Sequence, residues 1–132
     1  MSQENVDLVY RFREALNARE MPDDLLAPDF ILTNAETVVS DGPYRGVGGA
    51  IDWARENLDL IEEERPLFIE RIEAHQDDFV IVAILVEGTA RLSQIPVVFR
   101  WTTAFWCSEG RLARVAGFLE LDEALKAVGL AE

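Results

Sequence analysis

At Pro66 the hydrophobic period of this chain changes from helical to alternating, and it stays alternating as far as Leu121. Before that point Val6, Val9, Phe12 and Leu16 recur at steps of three and four, widened by Leu8 and Ala15, which predicts a helix from Ser2 to Arg19. Ser2 suits its N-cap and Glu4 its first turn. Val47, Ala50, Ile51, Ala54, Leu58 and Ile61 predict a second long helix, ending in the exposed run Glu62-Glu63-Glu64. Between them, Met21 to Leu26 reads as a short helix with Pro22 in its first turn. Ala27-Pro28 ends that helix, and Phe30 to Asn34 is a brief strand.

Beyond Pro66 the expected strands are Leu67–His75, Phe79–Glu87, Val97–Cys107 and Leu112–Leu121. Gln76-Asp77-Asp78 and Ser108-Glu109-Gly110-Arg111 are turns, the second with Gly where positive φ is wanted. Asp122 then caps a last helix through Val128, and Gly129 is placed for a left-handed C-cap. Helices first and consecutive antiparallel strands afterwards define an α+β fold. The expected form is a cone: three N-terminal helices over one face of a curved antiparallel sheet, plus a short C-terminal helix. All 132 residues are expected in one domain.

Composition removes several function classes. Lys plus Arg is 12 against 25 for Asp plus Glu, a formal charge of −13, so no basic stripe is present for nucleic acid. The longest apolar run, Phe79 to Val86, is far short of a membrane span. The first residues carry no secretory pattern, and a cytosolic protein is expected. A lone cysteine (Cys107) and a lone histidine (His75) supply neither a disulfide framework nor a histidine or cysteine metal set, so no metal and no cofactor are expected.

Four segments resemble nuclear transport factor 2-like proteins of the SnoaL-like branch. They are Gly42-Pro43-Tyr44-Arg45-Gly46 running into Ala50-Ile51-Asp52-Trp53, Ala74 to Val80, Phe105 to Leu112, and Glu123 to Leu130. The resemblance spans essentially the whole chain. It implies a cone-shaped pocket, frequent dimers, and activities from ketosteroid isomerase and polyketide cyclase to dehydratase and hydrolase. It does not choose among them. By offset, the isomerase's donor Tyr falls on Phe12, its catalytic base on Asn34, and its oxyanion acid on Thr102 or Thr103. None of these keeps the required group, because Phe has no hydroxyl and an amide cannot cycle a proton near neutral pH. Ketosteroid isomerase chemistry is therefore not expected.

Other candidates are Glu36 and Asp41 at a pocket mouth, His75 at a strand end, and Arg100 or Arg114 as holders of an anion. Each also reads as an ordinary surface residue. Asn34 with one of the two threonines is the best inward polar pair, suited to a ligand carbonyl or hydroxyl. Trp53, Trp101, Trp106, Phe99, Phe105 and Phe118 supply an apolar wall. Along the third sheet strand, Phe99, Trp101, Thr103 and Phe105 share one face, and Arg100, Thr102, Ala104 and Trp106 the other. Both faces are apolar, as Val97-Val98-Phe99 and Trp106 illustrate, so a homodimer through the outer face is expected. The expected ligand site is lined by Phe12, Asn34, Trp53, Thr102, Thr103 and Phe118. Its expected occupant is a small apolar molecule. The competing classes are an enzyme of the cyclase, dehydratase or hydrolase type and a non-catalytic assembly module.

Overall fold

A computed structural model of the chain describes residues 2–34 and 43–130. The long helix α1 (Ser2–Ala18) is followed by β1 (Leu26–Thr33), the two-residue β2 (Tyr44–Arg45) and α2 (Gly46–Leu58). Then come β3 (Leu67–His75), β4 (Phe79–Thr89), β5 (Pro96–Ser108), β6 (Arg111–Phe118) and α3 (Leu121–Ala127). The strands form one curved six-stranded sheet in the order β2-β1-β6-β5-β4-β3. This is the expected α+β architecture, with β3 to β6 within a few residues of their expected limits.

Three details differ from expectation. Met21 to Leu26 is a turn leading into β1, so two N-terminal helices and not three cover the concave face. Pro22-Asp23-Asp24 supplies turn formers in a segment too short to repay helix nucleation. The sheet is mixed, because β1 runs parallel to β6 while its other pairings are antiparallel. That ladder is interrupted between Leu26 and Ile31, where Pro28 has no N–H to donate. Finally, α2 stops at Leu58, and Ile61 leaves the helix to bridge Ala90. Glu62 N–H donates to the Thr89 carbonyl at 2.6 Å. A Cβ on Gly88 would lie 2.3 Å from the Ile61 side chain, so glycine is what admits this close approach.

Two buried asparagines hold α1 over the sheet. Asn5 Nδ2 donates to the Asp77 carbonyl (2.7 Å) in the β3–β4 turn. Asn17 makes a reciprocal pair with Leu67, donating to its carbonyl (3.0 Å) and accepting its N–H (3.1 Å). The helix ends with Arg19 at φ +58°, where Glu20 N–H bonds the Ala15 carbonyl. A non-glycine residue is tolerated there because the Arg19 guanidinium caps the Leu16 and Asn17 carbonyls and pairs with Asp59 beyond α2.

Val9, Phe12 and Leu16 of α1 and Ala54 and Leu58 of α2 pack on the concave face with Val80, Val82 and Ile84 of β4. The convex face is not left bare. α3 lies on one end of it, with Ala124, Leu121 and Leu125 packed on Phe79, Ile81, Ala104, Trp106 and Phe118. Trp106, expected at a subunit interface, is thus covered within the chain, and Arg114 stacks on its ring at 4.5 Å. Glu120 and not Asp122 caps α3, its N–H bonding the Glu123 carboxylate (3.1 Å). Gly129 at φ +85° closes the helix as expected. On the convex face outside α3, Phe68 (40% exposed) and Val98 (51%) remain open.

Candidate functional site

Alternation along the strands decides which side chains face inward. β4 pairs with β5 so that Val82 is opposite Thr103, Ile84 opposite Trp101 and Val80 opposite Phe105. On the other side of β5, Gly117 lies opposite Thr103 and Val115 opposite Phe105. These residues share the concave face with the buried stripes of α1 and α2, and the two layers do not close on one another. Between them is a cavity of about 410 Å³. Phe12 and Leu16 form one side of it, Trp53 and Leu58 another, and Trp101, Thr103 and Phe105 the floor. Phe12 meets Phe105 edge to face at 5.8 Å, and Trp53 meets Trp101 at 6.5 Å.

The polar groups are few. Asn34, immediately after β1, accepts the Trp53 indole N–H at Oδ1 (2.7 Å). Asn57, one turn along α2, donates from Nδ2 to the Trp53 carbonyl (2.8 Å). Thr103 is buried in the floor. Arg13 lines the helix side; one of its terminal nitrogens pairs with Glu14 at 3.1 Å, its guanidinium lies 5.5 Å from the Tyr10 ring, and its Nε is buried without a partner. Sequence reasoning did not select Arg13, although three residues separate it from the inward Leu16 on one helix flank.

Of the residues expected at the site, Phe12, Asn34, Trp53 and Thr103 come together around this cavity. Thr102 and Phe118 do not. They pair with each other on the convex face, where Phe118 packs under α3. A bulge between Trp106 and Cys107 causes this. Continued without it, the turn register Ser108–Arg111 would set Phe118 opposite Trp101 on the concave side.

The other candidates fall away from a catalytic geometry. His75 is exposed at the end of β3. Arg114 stacks on Trp106 outside the sheet. Arg100 reaches the cavity rim, but its Nε is bonded to Glu70 at 3.1 Å. Glu36 and Asp41 lie outside the described residues. Burial, assisted by the charge of Asp78, pushes the Cys107 thiol up to about 11, which leaves it a neutral packing group. Among the described residues, no carboxylate, imidazole or thiol lines the cavity, and no group of three or more acidic, histidine or cysteine side chains is placed to hold a metal.

No protein-family model matches the chain, and no curated protein matches it in sequence. Solved structures do match in shape. A candidate SnoaL-like polyketide cyclase from Jannaschia sp. CCS1 is 16% identical, with a TM-score of 0.71 over 100% of this chain and 96% of that one. An NTF2-like protein of unknown function from Burkholderia pseudomallei is 20% identical, at 0.68 over 98% and 99%. A hypothetical protein of ketosteroid isomerase-like fold from Catenulispora acidiphila, in complex with trimethylamine, is 15% identical, at 0.66 over 93% and 92%. The chain therefore has the cone fold of the nuclear transport factor 2-like proteins, the fold that SnoaL-like and ketosteroid isomerase-like proteins carry.

Proposed function

We propose that the protein binds a small, largely apolar molecule in the concave cavity and performs no ketosteroid isomerase chemistry there. One observation carries this reading: the cone holds a cavity of about 410 Å³ walled mainly by aromatic and aliphatic side chains, with Asn34, Thr103, Asn57 and Arg13 as its polar points and Arg100 at the rim. Well-formed apolar concavities with a few convergent polar groups are where small ligands bind. Proton transfer needs a group that changes protonation near neutral pH. Phe12, Asn34 and Thr103 have none.

A ligand covering about 200 Å² of this wall gains roughly 5 kcal/mol of hydrophobic free energy. Association costs of similar size bring the expected affinity to the micromolar range or weaker. The protein's quaternary form belongs to the same reading. Phe68 and Val98, left open beyond α3, support a homodimer through the convex face.

The test is a thermal-shift series with flat apolar carbonyl compounds on wild type and on Gly117→Val. Gly117 lines the cavity on β6, so valine there takes up part of the space. At ten times Kd a ligand adds about 1.4 kcal/mol, which raises the midpoint by about 5 °C for a chain of this length. The expected result is a shift in wild type that is lost in Gly117→Val. No shift in wild type, or equal shifts in both, overturns the reading.

A further inference from the structure

We infer that the Trp53–Asn34 hydrogen bond gives the cavity floor a fixed polarity at Asn34, where it selects molecules that present a hydrogen-bond acceptor, such as a carbonyl oxygen. This rests on the ligand-binding reading above and adds the chemistry the ligand must carry.

An indole N–H donates and cannot accept, so the Asn34 atom 2.7 Å from it is the amide oxygen. What Asn34 has left to offer is Nδ2, with two N–H donors, and one remaining lone pair on the oxygen that the indole already holds. Among the described residues nothing accepts from that nitrogen. An unrestrained asparagine is ambidextrous, since rotation about χ2 exchanges its oxygen and nitrogen. Here the exchange would break the bond and set donors against the indole N–H in a half-buried place. Trp53 is therefore a positioning residue: it holds the oxygen end of the amide and leaves the donor end, Nδ2, uncommitted for the ligand.

The register shows where that donor stands. Thr33 and Ala116 are the last pair of the parallel β1–β6 ladder, and the residues that follow them, Asn34 and Gly117, both line the cavity. Gly117 is in turn opposite Thr103. Asn34, Gly117 and Thr103 thus form one row across three strands of the concave face. Gly117 has no side chain to contribute between the two polar ends of the row. Two strand spacings make it about 10 Å wide, the width of a bicyclic ring system. The Thr103 hydroxyl both donates and accepts and does not discriminate. Asn57 is the opposite case. One N–H of its Nδ2 is committed to the Trp53 carbonyl, which leaves its oxygen and a single N–H, one turn further along α2. A donor-bearing molecule has that partner, so selection at Asn34 must be read from the change when Asn34 itself is altered.

The experiment is calorimetric titration of three bicyclic probes of similar size: 1-indanone (acceptor), indole (donor) and indane (neither). In wild type, 1-indanone should bind about five-fold tighter than indane, the effect of one neutral hydrogen bond. Asn34→Asp keeps the oxygen that Trp53 holds and replaces the amide nitrogen with a second acceptor. In that variant 1-indanone should lose its advantage over indane, while indole gains two-fold or more relative to indane. Trp53→Phe frees the amide to rotate, and the ratio of 1-indanone to indole affinity should move toward one even if all three probes weaken. An undiminished 1-indanone advantage in Asn34→Asp overturns the inference and leaves the cavity reading standing. Failure of all three probes to bind wild type overturns the cavity reading and this inference with it.

Discussion

Asn17 offers the sharpest test of how α1 is held over the site. β3 is an edge strand, and Leu67 turns its N–H and carbonyl away from β4 to the Asn17 side chain, which supplies both partners at 3.1 and 3.0 Å. Asn17 is only 8% exposed, so water does not replace it freely. Asn17→Ala leaves two buried backbone groups unpaired, at about 1–3 kcal/mol each for full burial; some solvent entry at a sheet edge brings the total to about 3 kcal/mol. With an unfolding entropy of about 2.1 cal/mol/K per residue, that lowers the melting midpoint by about 11 °C. Asn17→Asp adds a signature that a general packing loss would not. Its carboxylate accepts the Leu67 N–H but opposes the Leu67 carbonyl, and only the protonated acid restores both bonds. The folded state then binds more protons than the unfolded one, so stability falls as pH rises and is regained toward acid. Urea melts of wild type, Asn17→Ala and Asn17→Asp at pH 7 and pH 5 provide the measurement. An alanine variant within 0.5 kcal/mol of wild type, or an aspartate variant whose deficit does not shrink toward pH 5, would refute the reasoning.

Four further outcomes follow from the same structure. Cys107, raised from 9.0 to about 11 by burial, should react with iodoacetamide at pH 8 about 100-fold more slowly than in the urea-unfolded chain; equal rates would contradict its burial. The same shift favours the neutral thiol, so its contribution to stability is complete below pH 9 and is lost as pH rises through about 11. Isomerisation of a 3-keto steroid, followed by ultraviolet absorbance, should not exceed the buffer rate; turnover would mean that the site had been misplaced. Light scattering on a size column should show a dimer for wild type and a monomer for Phe68→Glu, and a wild-type monomer at tens of micromolar would remove the convex-face interface.

Much of this architecture was legible because the strands after Pro66 are long and their turns are chemically marked. Glu109 (φ +53°) and Gly110 (φ +77°) make the turn that the Ser-Glu-Gly-Arg stretch announces. Met21 to Leu26 was not legible, since six residues with a proline can read as helix or turn with equal ease. Nor does any local pattern say that β1 pairs parallel with β6. The parallel pairing goes with burial of Leu26 and Leu32 in the core, and it leaves Asn34, just past its last pair, at the cavity wall.

The candidate site divides along similar lines. Phe12 lies on the helical stripe of α1, and Thr103 alternates with Trp101 and Phe105, so period alone suffices to group these; Trp53 lies off the stripe read for α2 and is singled out by its aromatic bulk. The choice between Thr102 and Thr103 required knowing which sheet face the long helices cover. Phe118 required knowing of a bulge, and one extra residue in β6 moved it to the face under α3. That short helix also explains why two apolar faces on β5 overstate the need for a partner. Arg13 escaped notice because its neighbours on the wall are apolar and its charge reads as solvated.

The central claim is that the concave cavity, and not the convex face or the exposed rim, receives an apolar carbonyl compound. Methyl-resolved NMR during titration with 1-indanone tests it most directly. Leu32, Ile84 and Val115 border the cavity, whereas Ile81 lies beneath α3 and Leu92 is 96% exposed on the β4–β5 connection. The methyl signals of Leu32, Ile84 and Val115 should shift along one saturable curve while those of Ile81 and Leu92 stay in place. Shifts confined to Leu92, or no saturable shift at the three cavity residues, would contradict it.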